Sequence, residues 1–559
     1  MLLSALLFAL PFVSGLPLIP EPSEGWRLAG NATLLERDSN QNVVVLDYAS
    51  YRGTADGNGV SQWLGMRFAT PPTGSRRFKA PQPPDKQSSV QDASKFGSIC
   101  LPTPGDGTNF QQQSEDCLFI NVFAPTGAGS SGKKLPVYFF IQGGGFATNS
   151  NANYNGAGLI NASGGNIVVV NFNYRVGPWG FLASKEVVSQ GNLNAGLLDQ
   201  RMALQWVQKY IHAFGGDPNH VTLGGDSAGA QSVDLHLTAY GGRNDGLFHA
   251  AAAESQSFPG LRSVAESQYN YDALASRAGC SGDTFSCLQK LGADKLQSVN
   301  TLIPFPGSAG WAPLHVYGPT FDNDFIRDYT HIAFAKGSFV HVPMIGGDDT
   351  DEGSIFAPRS TNTEQDAKNF IKDQWPHISD NDLNTWATMY TPTNFPNVVG
   401  GVGSWYRALS TGYGEMRYTC GGLNVTHQLS NWGLPSWSYR WNVEDPSSMS
   451  SGFGVPHTIE VHAIWGPENT NGGAPQSYYS GGVNNPIVAV TQAYWTSFIR
   501  TYDPNTYRAN GAPMWNAWTP QNENQRMKFQ HDVTGMEKVP DAQVQRCRWW
   551  SGLAVKLEQ

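Results

Sequence analysis

The chain has 559 residues, 40% hydrophobic and 14% charged, which excludes disordered and fibrous classes and allows a large buried core. A formal charge of -9, from 45 acidic against 36 basic residues with no like-charged block, excludes nucleic acid as a partner. The densest basic stretch, Arg76-Arg77-Phe78-Lys79, reads as a solvated turn.

Residues 2–15 form an apolar run too short to span a bilayer, ending in the small-residue pattern Val13-Ser14-Gly15. They predict a secretory signal over 1–15, with 16–559 as one catalytic domain free of repeats and linkers, and an extracellular product without an integral membrane segment. Export suits the six cysteines, an even number that permits fifteen pairings. Proximity favours Cys100 with Cys117 and Cys280 with Cys287, which leaves Cys420 for Cys547. Sequons at Asn31, Asn161 and Asn424 are the expected glycosylation sites.

Further along, 135–141 and 167–174 are apolar and β-branched and predict buried strands. Helical spacing of Leu197, Met202, Leu204 and Val207 predicts a helix over 196–211, followed by a strand at 221–225 and a helix from Ala228. Later runs at 342–346 and 437–441 read as strands, and 487–502 as an amphipathic helix stopped by Asp503-Pro504. Alternation of this kind predicts an α/β protein whose sheet is mainly parallel and covered on both faces.

Gly225-Asp226-Ser227-Ala228-Gly229 matches the nucleophile elbow, a strained strand-to-helix turn whose flanking glycines let backbone crowd the serine. With 62 glycines the pentapeptide is expected roughly 0.5 times by chance, so its place between a strand and a helix is what gives it weight. Gln142-Gly143-Gly144-Gly145-Phe146 closes an earlier strand, where the N–H groups of Gly144 and Gly145, with that of Ala228, can converge on an oxyanion. Asp348-Asp349-Thr350-Asp351-Glu352 supplies carboxylates after the strand at 342–346 but lacks the spacing of a calcium loop, so no metal site is expected.

These motifs resemble the type-B carboxylesterase and lipase family of fungal extracellular lipases and cholinesterases. Gly65 to Phe78, Ser114 to Val122, Asn173 to Leu182 and Phe214 to Asn219 carry the likeness across nearly the whole mature chain. The resemblance implies an α/β-hydrolase fold with a small N-terminal antiparallel sheet beside the central one. It identifies Glu352 of Asp351-Glu352-Gly353 as the acid and His457 of Gly454-Val455-Pro456-His457 as the base, with His462 a structural neighbour. The order Ser227, Glu352, His457 is that of α/β-hydrolases. Asp226 and Glu460 match positions that often hold Glu, where negative charge would favour the imidazolium. Gln142, where relatives often have His, is a departure.

The expected activity is hydrolysis of small-molecule carboxylic esters through an acyl-enzyme, without metal or organic cofactor. Lipases of the family use the region equivalent to 100–117 as an amphipathic lid; here Leu101 and Phe110 are its only large apolar groups, favouring soluble, short- to medium-chain esters. The same loop lacks the tryptophan with which cholinesterases stack a choline. The alternatives are a triacylglycerol lipase of this family and, from another class, a secreted recognition protein, since some members only bind partners. Sequence leaves the oligomeric state open.

Overall fold

Runs apolar at every position, such as 135–141, are stable only where both faces of a sheet are covered. A computed structural model describes residues 42–55, 57–522 and 524–559; the expected signal at 1–15 and the Asn31 sequon lie outside them. The large sheet contains β1 (Thr54–Ala55), β2 (Val60–Arg67), β3 (Phe119–Pro125), β4 (Leu135–Ile141), β5 (Val168–Phe172) and β6 (Gly216–Asp226). It continues with β7 (Ala250–Glu254), β8 (Met344–Asp349), β9 (Ser436–Trp441), β10 (Gln525–Phe529) and β11 (Gly535–Lys538).

These 11 strands lie in the order β11-β10-β9-β8-β7-β6-β4-β5-β3-β2-β1, parallel from β10 through to β5 and antiparallel at both edges. The expected mainly parallel sheet is therefore present, as an α/β-hydrolase fold. A small N-terminal sheet pairs Val43–Val45 with Ser50–Arg52 antiparallel, and Val90–Asp92 then joins parallel. That third strand arrives only after the chain has crossed through β2, and such a crossover permits parallel entry.

Side-chain alternation sends Val137, Phe139 and Ile141 of β4 to one core and Tyr138 and Phe140 to the other. The first core packs under helix α1 (Ala195–Tyr210) through Leu197, Leu204 and Val207, and under α2 (Ala228–Gly242) through Val233 and Leu235. Helix α4 (Asn485–Thr501) covers the opposite face with Tyr494, Trp495 and Phe498. A third core gathers Trp386, Tyr390, Tyr413 and Trp550 around helices α3 (Cys420–Asn431) and α5 (Asp541–Gly552).

Cys420 and Cys547 join α3 to α5, and Cys100–Cys117 and Cys280–Cys287 are the other disulfides. Asn161 is exposed. Asn424 is turned inward: its side-chain nitrogen meets His331 Nδ1 at 2.9 Å, and Thr426 of its sequon is buried. Among the described residues no helix is long and apolar enough to cross a membrane.

Candidate active site

The connection order reverses at β4, which borders both β5 and β6, and such switch points open a crevice at the carboxyl ends of the strands. The glycine loop leaves β4 there and the Ser227 turn leaves β6 beside it. Ser227 has φ 53 and ψ -118, a strained conformation that lifts its hydroxyl from the sheet edge. Glycine is required on both sides of it. A Cβ on Gly229 would lie 1.9 Å from the Ile141 carbonyl oxygen, and one on Gly225 would lie 2.6 Å from Gly229 backbone. The Ser227 N–H donates to the Glu254 carbonyl at 2.8 Å, fixing the turn to β7.

Ser227 Oγ lies 2.7 Å from His457 Nε2, and the opposite ring nitrogen, Nδ1, contacts Glu352 Oε2. A carboxylate accepts, so Nδ1 carries the proton and Nε2 is free to accept from the serine hydroxyl. Glu352 follows β8, and its Oε1 accepts the Asp349 N–H at 2.8 Å. His457 lies in the segment after β9, where Tyr418 and Phe356 hold its ring at centroid distances of 4.4 and 5.2 Å. The other acids of 348–352 face elsewhere. Asp351 pairs with Arg407 and accepts the Val455 N–H, while Asp349 accepts the Ile459 N–H and lies 3.3 Å from Ser255 Oγ.

Gly144 and Gly145 have φ of 113 and 62, and a Cβ on the preceding Gly143 would stand 3.0 Å from Ser227 Cβ, so the loop lies against the serine. Among the described residues no backbone acceptor takes the N–H of Gly144, Gly145 or Ala228. Ala228 also begins α2, whose dipole adds positive potential beside Ser227. Asp226 does different work from that expected of its charge: its Oδ1 accepts the Gly143 N–H at 2.8 Å and so ties the glycine loop to the elbow. Gln142 braces the same loop through Phe172 and Asn173.

Burial sets the electrostatics. It draws the His457 imidazole below its ordinary value, against the opposing charge of Glu460, and so favours the neutral ring that can accept from Ser227. Burial likewise pushes Asp226 up to about 8, so this acid holds its proton at neutral pH. Glu460 is raised by burial; it accepts hydrogen bonds from Tyr439 and Ser255, both near 3 Å. Sequence reasoning missed Ser255, which has φ 51 and receives the Thr458 N–H beside the histidine. It also missed His315, against whose ring a Cβ on Gly145 would collide at 2.2 Å. No motif surrounds either residue.

A strained serine turn after one strand, bridged by an imidazole to an acid after another, defines a serine hydrolase of the α/β-hydrolase class. Comparison with known proteins narrows the class. The carboxylesterase family model matches residues 40–550. Secreted lipase 4 of Gibberella zeae is 32% identical over 88% of this chain and 88% of its own length, and secreted lipase 1 of Botryotinia fuckeliana is 31% identical over 86% and 88%. The crystal structure of Aspergillus niger EstA superposes with a TM-score of 0.89 at 42% identity, over 93% of this chain and 99% of that one. The chain belongs to the carboxylesterase family and is a carboxylic-ester hydrolase.

Proposed function

We propose that this hydrolase is exported after loss of residues 1–15, and that 16–559 act as one unit on soluble short- to medium-chain esters through Ser227, His457 and Glu352. His457 takes the Ser227 proton as Oγ attacks the ester carbonyl, and the N–H groups of Gly144, Gly145 and Ala228 receive the oxyanion. Collapse expels the alcohol, protonated by His457, and leaves an acyl-serine. Water, deprotonated by the same imidazole, attacks that acyl carbon and releases the acid. Burial pushes the Glu352 carboxyl up, opposed by the Asp349 N–H that it accepts; in its ionised form it holds the tautomer and stabilises the imidazolium. The observation that carries the reading is the continuous Ser227–His457–Glu352 hydrogen-bond chain beside N–H groups that no backbone acceptor takes among the described residues. Ser227→Ala is expected to abolish turnover and fluorophosphonate labelling while circular dichroism and secretion stay unchanged; ester hydrolysis by that variant would refute the assignment.

The preference for soluble esters is supported by the loop closed by Cys100 and Cys117. Gln297 donates to Pro102 and Thr108 at 2.6 and 2.8 Å, Asn300 donates to Pro102 at 2.9 Å, and Gly105 donates to the Asn300 carbonyl at 2.8 Å. A loop held by buried amides is a poor moving lid, and Phe110 is its one exposed large apolar side chain. Two relatives named secreted lipases favour a second reading, a triacylglycerol lipase. Hydrolysis of p-nitrophenyl butyrate should rise smoothly with concentration, and a sharp rate increase above the threshold for emulsion would favour the lipase.

A further inference from the structure

A pocket opens against Gly145, and its wall includes His315, Arg262 and Arg417. Among the described residues neither arginine has a carboxylate within ion-pair distance. Arg417 is buried and uses its Nε–H on Ser257 Oγ at 3.1 Å. Arg262 donates once, to the Val316 carbonyl at 3.3 Å, and its guanidinium lies 3.4 Å from the centre of the Phe305 ring, which fixes its plane. The acids whose charge reaches Arg262 are Glu558 and Glu266, on the neighbouring pocket. Glu266 is already engaged by Ser263 and by His377 at 3.1 Å, and burial beside Glu266 raises Glu558 to about 8, which leaves it mostly protonated at neutral pH.

His315 adds no balancing charge, since burial, with Arg417, His457 and Arg262 around it, holds its imidazole neutral. Its Nδ1 is buried and without a hydrogen-bond partner. Two guanidiniums share one pocket wall, Arg417 buried and Arg262 half-buried, neither paired with a carboxylate among the described residues, and a bound anion would relieve both. A planar carboxylate matches the guanidinium fork in shape as well as charge.

We propose that this pocket recognises a free carboxylate on the substrate, so that the preferred esters are acidic ones carrying a second, ionised acid group. The inference rests on Ser227 being the nucleophile, because Gly145 then joins the pocket to the reacting carbonyl. The acid can belong to the acyl part, as in a half-ester of a dicarboxylic acid, or to the alcohol part, as in an ester of a hydroxy acid.

Rates for the wild-type enzyme separate these cases. Mono-p-nitrophenyl glutarate is compared with p-nitrophenyl valerate, and butyryl glycolate with ethyl butyrate. In at least one pair the anionic ester should have a kcat/KM roughly ten-fold higher, and the pair that shows it identifies the side. Arg262→Gln should remove that preference while leaving the neutral ester within about two-fold, and Arg262→Lys should keep part of it. Parity or a disadvantage for both anionic esters overturns the proposal, as does equal loss on anionic and neutral substrates in Arg262→Gln. Should that variant not fold, competitive inhibition of wild-type valerate hydrolysis by free glutarate but not by glutaramide supports the pocket, and its absence overturns it. Failure to hydrolyse the neutral esters, together with absent fluorophosphonate labelling, instead overturns the Ser227 reading and takes this proposal with it.

Discussion

Asp351 and Glu352 are neighbours in the chain, yet one pairs with Arg407 and the other with His457. Glu460 reaches the same imidazole through space and opposes the effect of burial. The sign of the pH dependence follows. Protonated imidazole cannot accept from Ser227, so activity falls as pH drops through the His457 value, which burial sets below the ordinary 6.5. The acid limb of kcat/KM against pH should therefore lie below 6.5. Glu460→Gln, which keeps an acceptor for Tyr439, should move it lower still by up to about one pH unit, with kcat on the plateau largely retained. A limb above 6.5, or an upward shift in the variant, would contradict this electrostatic picture. Ser227, Glu352 and His457 were legible because each sits in a dense local motif and their order matches one hydrolase class. Ser255, His315, Arg262 and Arg417 were not, because the segments that carry them beside the site meet only in the fold.

At the scale of elements, the strands richest in β-branched residues were the easiest to read, and β7 was invisible. Its sequence, Ala250 to Ala253 followed by Glu254, has the composition of a good helix. It is a strand because β6 and β8 flank it in parallel and leave room on both faces for side chains no larger than alanine. Tertiary fit overrides propensity there, and the Ser227 N–H depends on the result through the Glu254 carbonyl. The link between α3 and α5 depends on a covalent element of very different reach. Cys420 and Cys547 are 127 residues apart and Cys280 and Cys287 only 7, so loop-closure entropy assigns them about 5 and about 2 kcal/mol. Replacing Cys420 and Cys547 by serine should lower the midpoint of thermal unfolding clearly more than the same change at Cys280 and Cys287. Differential scanning calorimetry of the two double variants checks the ranking, and equal losses would show that the long loop is already restrained in the unfolded chain.

For the molecule as a whole, covering both faces of the sheet traps acids at the very edge where the chemistry is built. Asp226, Glu254, Asp348 and Asp349 are all buried there and all raised by that burial. Asp226 gives the clearest consequence, since its carboxyl moves from 3.8 to about 8. Between those values the native chain holds a proton that the unfolded chain has lost, so this site's contribution to stability is complete below pH 3.8, declines as pH rises, and is spent above about 8. Asn at position 226 cannot ionise and still offers an oxygen to the Gly143 N–H. Relative to wild type, Asp226→Asn should therefore gain stability as pH increases from 5 to 8, on the order of 1 kcal/mol per pH unit, and gain little more from 8 to 9. Urea unfolding of both proteins across that range reads the difference, because groups remote from position 226 titrate alike in each. A stability difference independent of pH would mean that Asp226 is already ionised in the folded protein, with the Gly143 N–H and its neighbours compensating its charge.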